Sequence, residues 1–584
     1  MNATATDTPT QDANLSATDT AVGASAWRTI FRLTAVVVAA FLTFSARHSL
    51  TVDGLSYLDI ANAYWRRDWS TAINAYWSPL YSWLLGLGLW ILKPSSYWEF
   101  PAIQFINFAI AIAALFSFEF FWRQQVKFQS QRLGDGQFTA LPHWAWQALG
   151  YTLFIWTIAR ATIVSAVTPD LLVAAFIFLA AGIIVRIRAG RDSFGTFALL
   201  GLVLGLAYLA KAAMFVLAFI FLGTSLFAAG DRRKAIPKAI AAFVVFVMIC
   251  APFVFCISKS KGRFTIGDTA KINYAWGVNQ SAPFFNWQAG DLSAGTPRHS
   301  TRKLSSSPAL YEFATPIGGT YPPHYDPSYW NDGLTPRINV KQQLRALVTS
   351  AYSFYSDFFV PQSGLIAATA IALFLSGNLL MIIGRLSEQW PVWFPGFAAI
   401  GMYALVTLEH RYVGPFVVLI WAGVLAAIRL PNSRESKRLL TYVTLAGVLT
   451  LSLSVIEQIG TRLYEWKDRA TPRQWRIAND LSNFGIQPGM RIVTIGSAYH
   501  AYWAHLAKLK VIAEVPSGDV ESFWAASAET RSELYGICSR IGAKAIVAPE
   551  LPNGPSQPTW QRIGESGFYV HTLPESETST TTRP

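Results

Sequence analysis

The residues best suited to chemistry follow directly after the first long apolar run of the sequence. Asp53 and Asp59 are carboxylates six positions apart, and the aromatic residues Trp69, Trp77 and Tyr81 come after them. Carboxylates beside aromatic rings at the edge of a bilayer suit a site where a polar substrate meets a lipid. The same pattern fits an interfacial aromatic belt with solvated acids. Composition alone leaves both interpretations open.

A second set of charged residues stands at the ends of later apolar runs. It comprises Arg160, Asp170, Lys211, His410 and Arg411. Charged groups at the ends of spanning runs lie at the depth of a membrane interface, where they are candidates for a functional site. For each cation the alternative is snorkelling to the membrane interface or pairing with a neighbouring acid.

The chain that carries these residues is too apolar for an ordinary soluble enzyme. Of its 584 residues, 52% are hydrophobic and only 14% are charged, and the mean hydropathy is +0.31. This composition predicts a multi-pass α-helical membrane protein. The net charge of +13 is a surplus that membrane proteins place on cytoplasmic loops, so we expect no nucleic-acid partner. The 3 cysteines suggest neither a disulfide framework nor a metal site.

Apolar runs of about 17–25 residues, the length that spans a bilayer, recur along the chain. We count about 11 of them, at 30–46, 101–122, 144–163, 170–187, 194–210, 212–228, 237–257, 362–384, 392–408, 411–428 and 439–456. Pro79–Leu92 is shorter, and we interpret it as a helix that lies at the outer interface. If it does not cross, the Lys and Arg clusters of the short loops all face the cytoplasm; if it crosses, the positive-inside rule is inverted throughout.

This topology divides the chain into three parts. Residues 1–26 carry no Lys or Arg and no apolar period, so we expect a disordered cytoplasmic tail. Residues 27–456 are expected to form a transmembrane domain with external loops at 47–100 and 258–361. The second of these loops is rich in Pro, Gly, Ser and Tyr, which predicts little regular structure.

The third part, residues 457–584, is expected to form a small α/β domain outside the membrane. Met490–Ile495 and Ala543–Ala548 have the pattern of short buried strands, and Glu529–Ile541 has helical spacing. The predicted location is a bacterial-type cytoplasmic membrane, with the N-terminus inside and the C-terminus outside.

The first external loop resembles that of the GT-C class of membrane glycosyltransferases, which includes protein O-mannosyltransferases and the bacterial aminoarabinose transferases of lipid A. Residues Asp53–Ala61 are similar to the family's Asp-Glu-x-x-Tyr-x-x-Ile-Ala, and Pro79–Tyr81 to the end of its Pro-Pro-Leu-Tyr. Gly54 stands where the family has its second acid, and Ser78 stands where it has its first proline.

Three further motifs follow in the family's order. Thr168–Asp170 is similar to its small-polar-Asp motif, Gly201–Lys211 to its Gly-Leu-x-x-Gly-Leu-x-x-Leu-x-Lys, and Arg411–Pro415 to its Arg-Tyr-x-x-Pro. The resemblance covers roughly the first 430 residues. The family's basic residue after the short interfacial helix has no counterpart in Tyr97–Pro101.

The resemblance implies an enzyme that moves a hexosyl or pentosyl group from a polyprenyl-phosphate carrier, with inversion. The acceptor would be a hydroxyl of a lipid, glycan or protein at the outer face of the membrane. Asp53 is the expected general base. The expected phosphate-binding residues are Lys211, Arg411, Arg160 and His410, and the expected substrate and loop residues are Tyr57, Asp59, Asp170 and Tyr412.

The resemblance implies no cofactor besides the lipid-linked sugar, and the sequence contains no evident metal cluster; whether a divalent metal takes part is left open. Two other functions compete with a transferase. One is a membrane transporter or lipid flippase, and the other is a non-catalytic cell-envelope assembly protein. Transporters place ionisable groups near the bilayer midplane between paired repeats, whereas these residues stand at the ends of runs in a chain without repeats.

Overall fold

The structure is a computed structural model, and the part of the chain that it describes is mostly helical. The described residues are 10–132, 138–281, 295, 297–313, 318–466, 472–549, 551 and 558–574. The helices before the long middle loop are α1 Thr10–Ser45, α2 Val52–Trp65, α3 Trp69–Ala72, α4 Pro79–Leu92, α5 Glu99–Arg132, α6 His143–Trp156, α7 Asp170–Arg188, α8 Phe194–Ala210, α9 Met214–Ala228 and α10 Arg232–Lys261. Helix α1 therefore includes part of the segment 1–26 that the sequence predicts as a disordered tail.

The remaining helices belong to the middle loop, the later spans and the C-terminal part. They are α11 Thr269–Gly277, α12 Pro322–Tyr325, α13 Pro327–Trp330, α14 Val340–Phe354, α15 Ser363–Phe374, α16 Leu379–Glu388, α17 Trp390–Ala404, α18 His410–Ala427, α19 Arg434–Tyr464, α20 Arg473–Asp480, α21 Tyr502–Leu506, α22 Val520–Ala525 and α23 Ala528–Arg540. A wider π-helical turn, Thr157–Ala161, continues α6, and a second one, Tyr355–Phe359, continues α14.

Six of the described helices are long and apolar enough to cross a membrane, which supports a multi-pass membrane protein. They are the part of α1 from Trp27 to Ser45, α5, α7, α10, α18 and α19. A seventh crossing is formed if the helices at Val340–Phe359 and Ser363–Phe374, which meet at 83°, are counted as one span.

Some of the predicted runs fold as shorter helices than the sequence suggests, whereas run 194–210 folds over its full length as α8. Run 212–228 becomes α9 with 15 residues. Run 362–384 is divided into α15 and α16, because Gly377 has a φ of +148° and the Asn378 side chain caps α16 by accepting the Met381 N–H.

Close helix packing fixes the ends that carry charged residues. Helices α8 and α10 touch at Gly201, where a Cβ atom would collide with the backbone of Ala242. Helices α5 and α7 pack through Phe118, Phe121 and Phe178, all fully buried. Lys211, the residue after α8, contacts Asp170, the first residue of α7, so these two residues lie at the same end of the helix bundle.

Strands of the middle loop and of the C-terminal part form a seven-stranded sheet. Its strands are β2 Arg302–Ser306, β3 Ala309–Glu312, β5 Arg491–Ile495, β6 Lys510–Val515, β7 Ala545–Ala548, β8 Gln561–Ile563 and β9 Phe568–Thr572, in the order β2-β3-β6-β5-β7-β9-β8. The strand β5 is parallel to both β6 and β7. A separate two-residue ladder pairs β1, Phe138–Thr139, with β4, Leu430–Pro431.

The sheet joins two parts of the chain that the sequence analysis keeps apart. Strands β5 and β7 and helix α23 lie where the sequence predicts two strands and a helix. Strands β2 and β3, however, come from the loop 258–361, for which little regular structure was predicted, and β3 pairs with β6. Pairing at a distance of about 200 residues leaves no local sequence pattern that would reveal it.

Candidate active site

Asp53 lies in the first turn of α2, where the local sequence fixes its position. Thr51 caps the helix: its side chain accepts the Gly54 N–H at 3.2 Å and donates to the Val167 carbonyl at 3.0 Å. A Cβ atom at Gly54 would come within 2.7 Å of the Val167 Cβ. The tight contact between α2 and the segment before α7 therefore has no room for the second acid that the family carries at this position.

The carboxylate of Asp53 begins a chain of alternating charges. Its Oδ2 accepts a hydrogen bond from Arg411 Nη1 at 2.8 Å, and the same nitrogen is 3.8 Å from Asp170 Oδ2. Lys211 Nζ donates to Asp170 Oδ1 and is 3.4 Å from the centroid of the Tyr412 ring. Helices α2, α7 and α18 and the residue after α8 thus bring five of the predicted residues together. Two of the side chains are acids, Asp53 and Asp170, two are cations, Arg411 and Lys211, and the fifth is Tyr412.

The helix termini favour two of these charges. Asp170 is the first residue of α7, and Lys211 directly follows the last residue of α8. An acid at a helix N-terminus and a cation at a C-terminus are stabilised by the helix dipole. Arg411 is the second residue of α18, where the dipole opposes a cation, so its stabilisation comes from Asp53 and Asp170.

Asp53 is ionised near neutral pH. Burial acts to raise its pKa, but the charge and hydrogen bond of Arg411, together with the nearby His324 and Lys211, outweigh this effect and lower the pKa below its ordinary value. Its other oxygen, Oδ1, faces His324 rather than Arg411. An ionised carboxylate with one oxygen free of the arginine can accept a proton from a hydroxyl.

His324 is a site residue that the sequence analysis did not single out. It lies in α12, and its Nε2 is 3.8 Å from Asp53 Oδ1. Ser56 Oγ donates to the His324 carbonyl at 2.9 Å and is 2.8 Å from His324 Nδ1. Because the single hydroxyl proton is used on the carbonyl, Nδ1 carries the ring proton and donates to Ser56, and Nε2 is unprotonated.

Burial keeps His324 neutral. It lowers the pKa of the ring to about 4, although the nearby Asp53 acts in the opposite direction. Nε2 and Asp53 Oδ1 are therefore two acceptors that face each other across 3.8 Å. A hydroxyl placed at this gap would have an acceptor on either side.

Aromatic rings surround this pair of acceptors. Trp77 Nε1 donates to the His324 carbonyl at 3.2 Å, and its ring is 5.1 Å from Tyr57, which also meets Tyr81 edge to face at 5.2 Å. Tyr499, from the C-terminal part of the chain, meets the His324 ring edge to face at 5.0 Å. The wall of the site thus combines the first external loop, the middle loop and the C-terminal part.

Besides Tyr57, which belongs to the aromatic wall, three predicted residues are not part of the charge chain. Arg160 pairs with Glu457 at 3.3 Å, and His410 Nδ1 lies 2.6 Å from the Ala161 carbonyl. Asp59 accepts from the Thr320 N–H at 2.6 Å instead. Within the described chain none of the three bonds to Asp53, Asp170 or Lys211, and no set of three or more His, Cys, Asp or Glu side chains is placed to hold a metal ion.

Asp59 takes part in a second buried ion cluster, which ties the C-terminal part to the first external loop. His505 in α21 contacts Asp59 Oδ1 through Nδ1 and Glu99 Oε1 through Nε2, each at 2.8 Å. Burial acts to lower the pKa of His505, but the two carboxylates outweigh it and raise the pKa to about 10. His505 is therefore an imidazolium at neutral pH, and it fixes α21 against α2 and α5.

This ion cluster predicts a pH dependence of stability. The pKa of His505 is about 10 in the fold and 6.5 ordinarily, so its contribution is complete below pH 6.5 and is lost as the pH rises through 10. We expect the unfolding temperature of the wild type in detergent to fall more between these pH values than that of His505→Gln. Parallel pH curves for the two proteins would contradict a protonated His505.

The chain is similar in structure to solved membrane proteins. No family model and no curated protein matches the sequence. An oligosaccharyltransferase of Archaeoglobus fulgidus, solved with Zn and sulfate, is similar over 89% of this chain and 68% of its own, with 14% identity and a TM-score of 0.47. ArnT from Cupriavidus metallidurans is similar over 94% of this chain and 98% of its own.

The two ArnT structures are of the apo state, with 14% identity and a TM-score of 0.38, and of the form bound to undecaprenyl phosphate, with 15% identity and a TM-score of 0.40. These neighbours, an oligosaccharyltransferase and ArnT, are GT-C glycosyltransferases, the class that the sequence motifs resemble. Because all three TM-scores are below 0.5 and all identities below 25%, we base the proposed function on the geometry of the site.

Proposed function

We propose that the protein is a glycosyltransferase that moves a sugar from a polyprenyl-phosphate carrier to a hydroxyl of a lipid, glycan or protein outside the cytoplasmic membrane. The observation that carries this proposal is the charge chain of Asp53, Arg411, Asp170 and Lys211 at the ends of apolar helices. An ionised acid beside two cations at membrane depth suits the displacement of a phosphate by a hydroxyl.

In the proposed reaction the acceptor hydroxyl donates its one proton to Asp53 Oδ1, and His324 Nε2 is the other acceptor that borders the gap. The hydroxyl oxygen attacks the anomeric carbon as its proton passes to Asp53, and the bond from that carbon to the phosphate oxygen breaks. A single displacement of this kind inverts the configuration of the sugar. The polyprenyl phosphate leaves with the negative charge.

Arg411 and Lys211 are the groups that would neutralise the leaving phosphate. A guanidinium has five N–H donors and an ammonium has three. Arg411 uses one donor on Asp53 at 2.8 Å and another on the Tyr412 hydroxyl at 3.4 Å, and Lys211 uses one on Asp170. Both side chains are partly exposed, at 25% and 19%, so their remaining donors are open to a phosphate. We propose no cofactor besides the lipid-linked sugar; whether a divalent metal takes part is left open.

We also propose eleven membrane crossings within residues 27–456, with the N-terminal segment 1–26 inside and an α/β domain, residues 457–584, outside. Helix α7 starts at Asp170, and α8 returns to Lys211, which contacts Asp170. The 17-residue helix α8 therefore covers nearly the same depth as the 19-residue α7, about 25 Å and 28 Å at 1.5 Å per residue. This return supports a full crossing by one of the shorter helices.

The orientation of the chain is open to a direct test. We expect a reporter fused after Arg132 to be cytoplasmic and a reporter fused to the C-terminus to be outside, because this sidedness leaves the Lys and Arg clusters of the short loops in the cytoplasm. Activity of reporters that function on one side of the membrane measures this. A cytoplasmic C-terminus would place the Asp53 site on the wrong side for an external acceptor.

The transfer itself is tested with the purified full chain in liposomes that contain a radiolabelled polyprenyl-phosphate sugar. We expect the labelled sugar to be transferred to an added cell-envelope acceptor, and polyprenyl phosphate to form as the second product. Movement of the intact lipid-linked sugar across the bilayer, without cleavage, would indicate a flippase instead. Mass spectrometry of the glycans that disappear in a deletion strain would identify the acceptor.

A further inference from the structure

Four arginine side chains converge at the end of the helix bundle opposite Asp53. Arg132 ends α5, Arg188 ends α7, Arg385 lies in α16 and Arg429 follows α18. Since α7 runs from Asp170 to Arg188, this arginine cluster lies about 28 Å from the charge chain along the helix. It belongs to the other membrane interface, and nothing in the proposed transfer reaction uses it.

The cluster has an excess of positive charge. Glu388 Oε2 is 3.1 Å from Arg429 Nη2 and 3.7 Å from Arg132 Nη1, and Arg188 donates to the Glu388 carbonyl. Arg385 donates to the Arg429 carbonyl at 2.9 Å. Among the residues that the structure describes, Glu388 is the carboxylate that contacts these side chains, so four guanidinium groups face one negative charge.

Aromatic rings hold the guanidinium groups close to one another. Arg132 and Arg188 both lie over the ring of Phe128, with centroid distances of 4.9 Å and 4.4 Å, and Arg385 lies 5.2 Å from the centroid of Phe138. Cation–π contacts of this kind keep like charges together without neutralising them. An anion that bridges the arginines would remove the remaining repulsion.

Buried N–H donors without partners lie in the same cluster. Gln389 is fully buried; its Oε1 accepts from Gln125 Nε2 at 3.2 Å and from Arg188 Nη1 at 3.3 Å, whereas its Nε2 has no partner in the described chain. The Nε of Arg429 is likewise buried and unpartnered there. Unsatisfied buried donors are costly, and they are expected where an additional acceptor binds.

We propose that the arginine cluster binds the phosphate of an acidic phospholipid from the leaflet that it faces. Phosphate oxygens suit the paired donors of guanidinium groups, and the ends of spanning helices lie at headgroup depth. Helix α16 carries Arg385 and Glu388 and exposes Leu379, Leu380 and Ile383, the last three at 51% or more. These apolar side chains offer a surface for acyl chains, which favours a lipid over free phosphate.

The test uses the full chain purified in uncharged detergent, with native mass spectrometry to titrate binding of phosphatidylglycerol and phosphatidylcholine. We expect the wild type to prefer phosphatidylglycerol. Each arginine that contacts the phosphate is expected to contribute about fivefold in affinity, so Arg132→Gln is expected to weaken the binding about 5-fold and Arg132→Gln with Arg429→Gln about 25-fold. The matched control is Arg232→Gln with Arg233→Gln, two exposed arginines at the start of α10.

Three results would overturn the proposal. The first is equal binding of phosphatidylcholine and phosphatidylglycerol by the wild type. The second is unchanged lipid preference in Arg132→Gln, whose side chain is 47% exposed and whose loss leaves the buried part of the cluster intact. The third is displacement of phosphatidylglycerol by inorganic phosphate at the same concentration, which would assign the cluster to a soluble anion.

Discussion

Asp53→Asn is expected to reduce sugar transfer by about 10²–10⁴-fold while the protein stays folded. A carboxamide has the shape of the carboxylate and still accepts a hydrogen bond from Arg411, but it cannot take a proton from an acceptor hydroxyl. The measurement is the rate of transfer from a polyprenyl-phosphate sugar by purified protein, together with its unfolding temperature. Wild-type transfer by Asp53→Asn would remove Asp53 as the base.

Other carboxylates of the same loop provide controls for Asp53. Asp68 accepts from Ser70 Oγ and Thr71 Oγ1, each at 2.6 Å, and lies outside the charge chain, so Asp68→Asn is expected to transfer at the wild-type rate. Asp59→Asn removes one partner of the His505 imidazolium. It is expected to cost much less transfer activity than Asp53→Asn and to lower the unfolding temperature instead.

His324→Gln separates the two acceptors at the gap. If Asp53 takes the proton and His324 only borders the gap, the variant retains more activity than Asp53→Asn. The pKa of His324 is about 4, so protonation of its ring is expected to change the wild-type transfer rate as the pH falls through this value. This change in rate should be absent from the pH profile of His324→Gln. A loss as large as that of Asp53→Asn would show that Asp53 alone does not account for proton removal.

The residues of the charge chain could be predicted because each stands at the end of an apolar run. Consecutive membrane spans run in opposite directions, so the end of one span and the start of the next lie at the same interface. The shared depth of Asp170, Lys211 and Arg411 could therefore be predicted from the topology and from the motifs that resemble the GT-C class. Arg160 satisfies the same condition, yet it pairs with Glu457 of α19. The position of a run's end gives its depth in the membrane but not which neighbours it meets.

His324 could not be predicted in the same way. Its partners Ser56 and Asp53 lie about 270 positions earlier in the chain, and the surrounding Pro-Pro-His-Tyr sequence indicates only a turn. Tyr499 reaches the site through the docking of α21, which depends on the buried contact between His505 and Asp59. Contacts between distant loops depend on the whole fold, and a single sequence carries no local signal for them.

Arg411 and Lys211 are expected to respond differently to conservative changes. Arg411→Lys should lower transfer about 100-fold although the charge is kept, because an ammonium cannot bond Asp53 and hold two phosphate oxygens with the geometry of a guanidinium. Lys211→Met should lower transfer by a similar factor, since methionine keeps only the apolar stem. Lys211→Arg should keep most of the activity, because a cation remains between Asp170 and Tyr412.

These variants are compared as transfer rates from a polyprenyl-phosphate sugar, using proteins of matched unfolding temperature. Arg66→Lys and Lys259→Met are suitable controls, because both side chains are exposed on the face that carries Asp53 in the proposed topology. Removal of a phosphate contact raises the barrier for the leaving group, so the loss should appear in kcat more than in KM. If Arg411→Lys and Lys211→Met both transferred at the wild-type rate, the two cations would be partners of Asp53 and Asp170 only, and another cation would have to bind the phosphate.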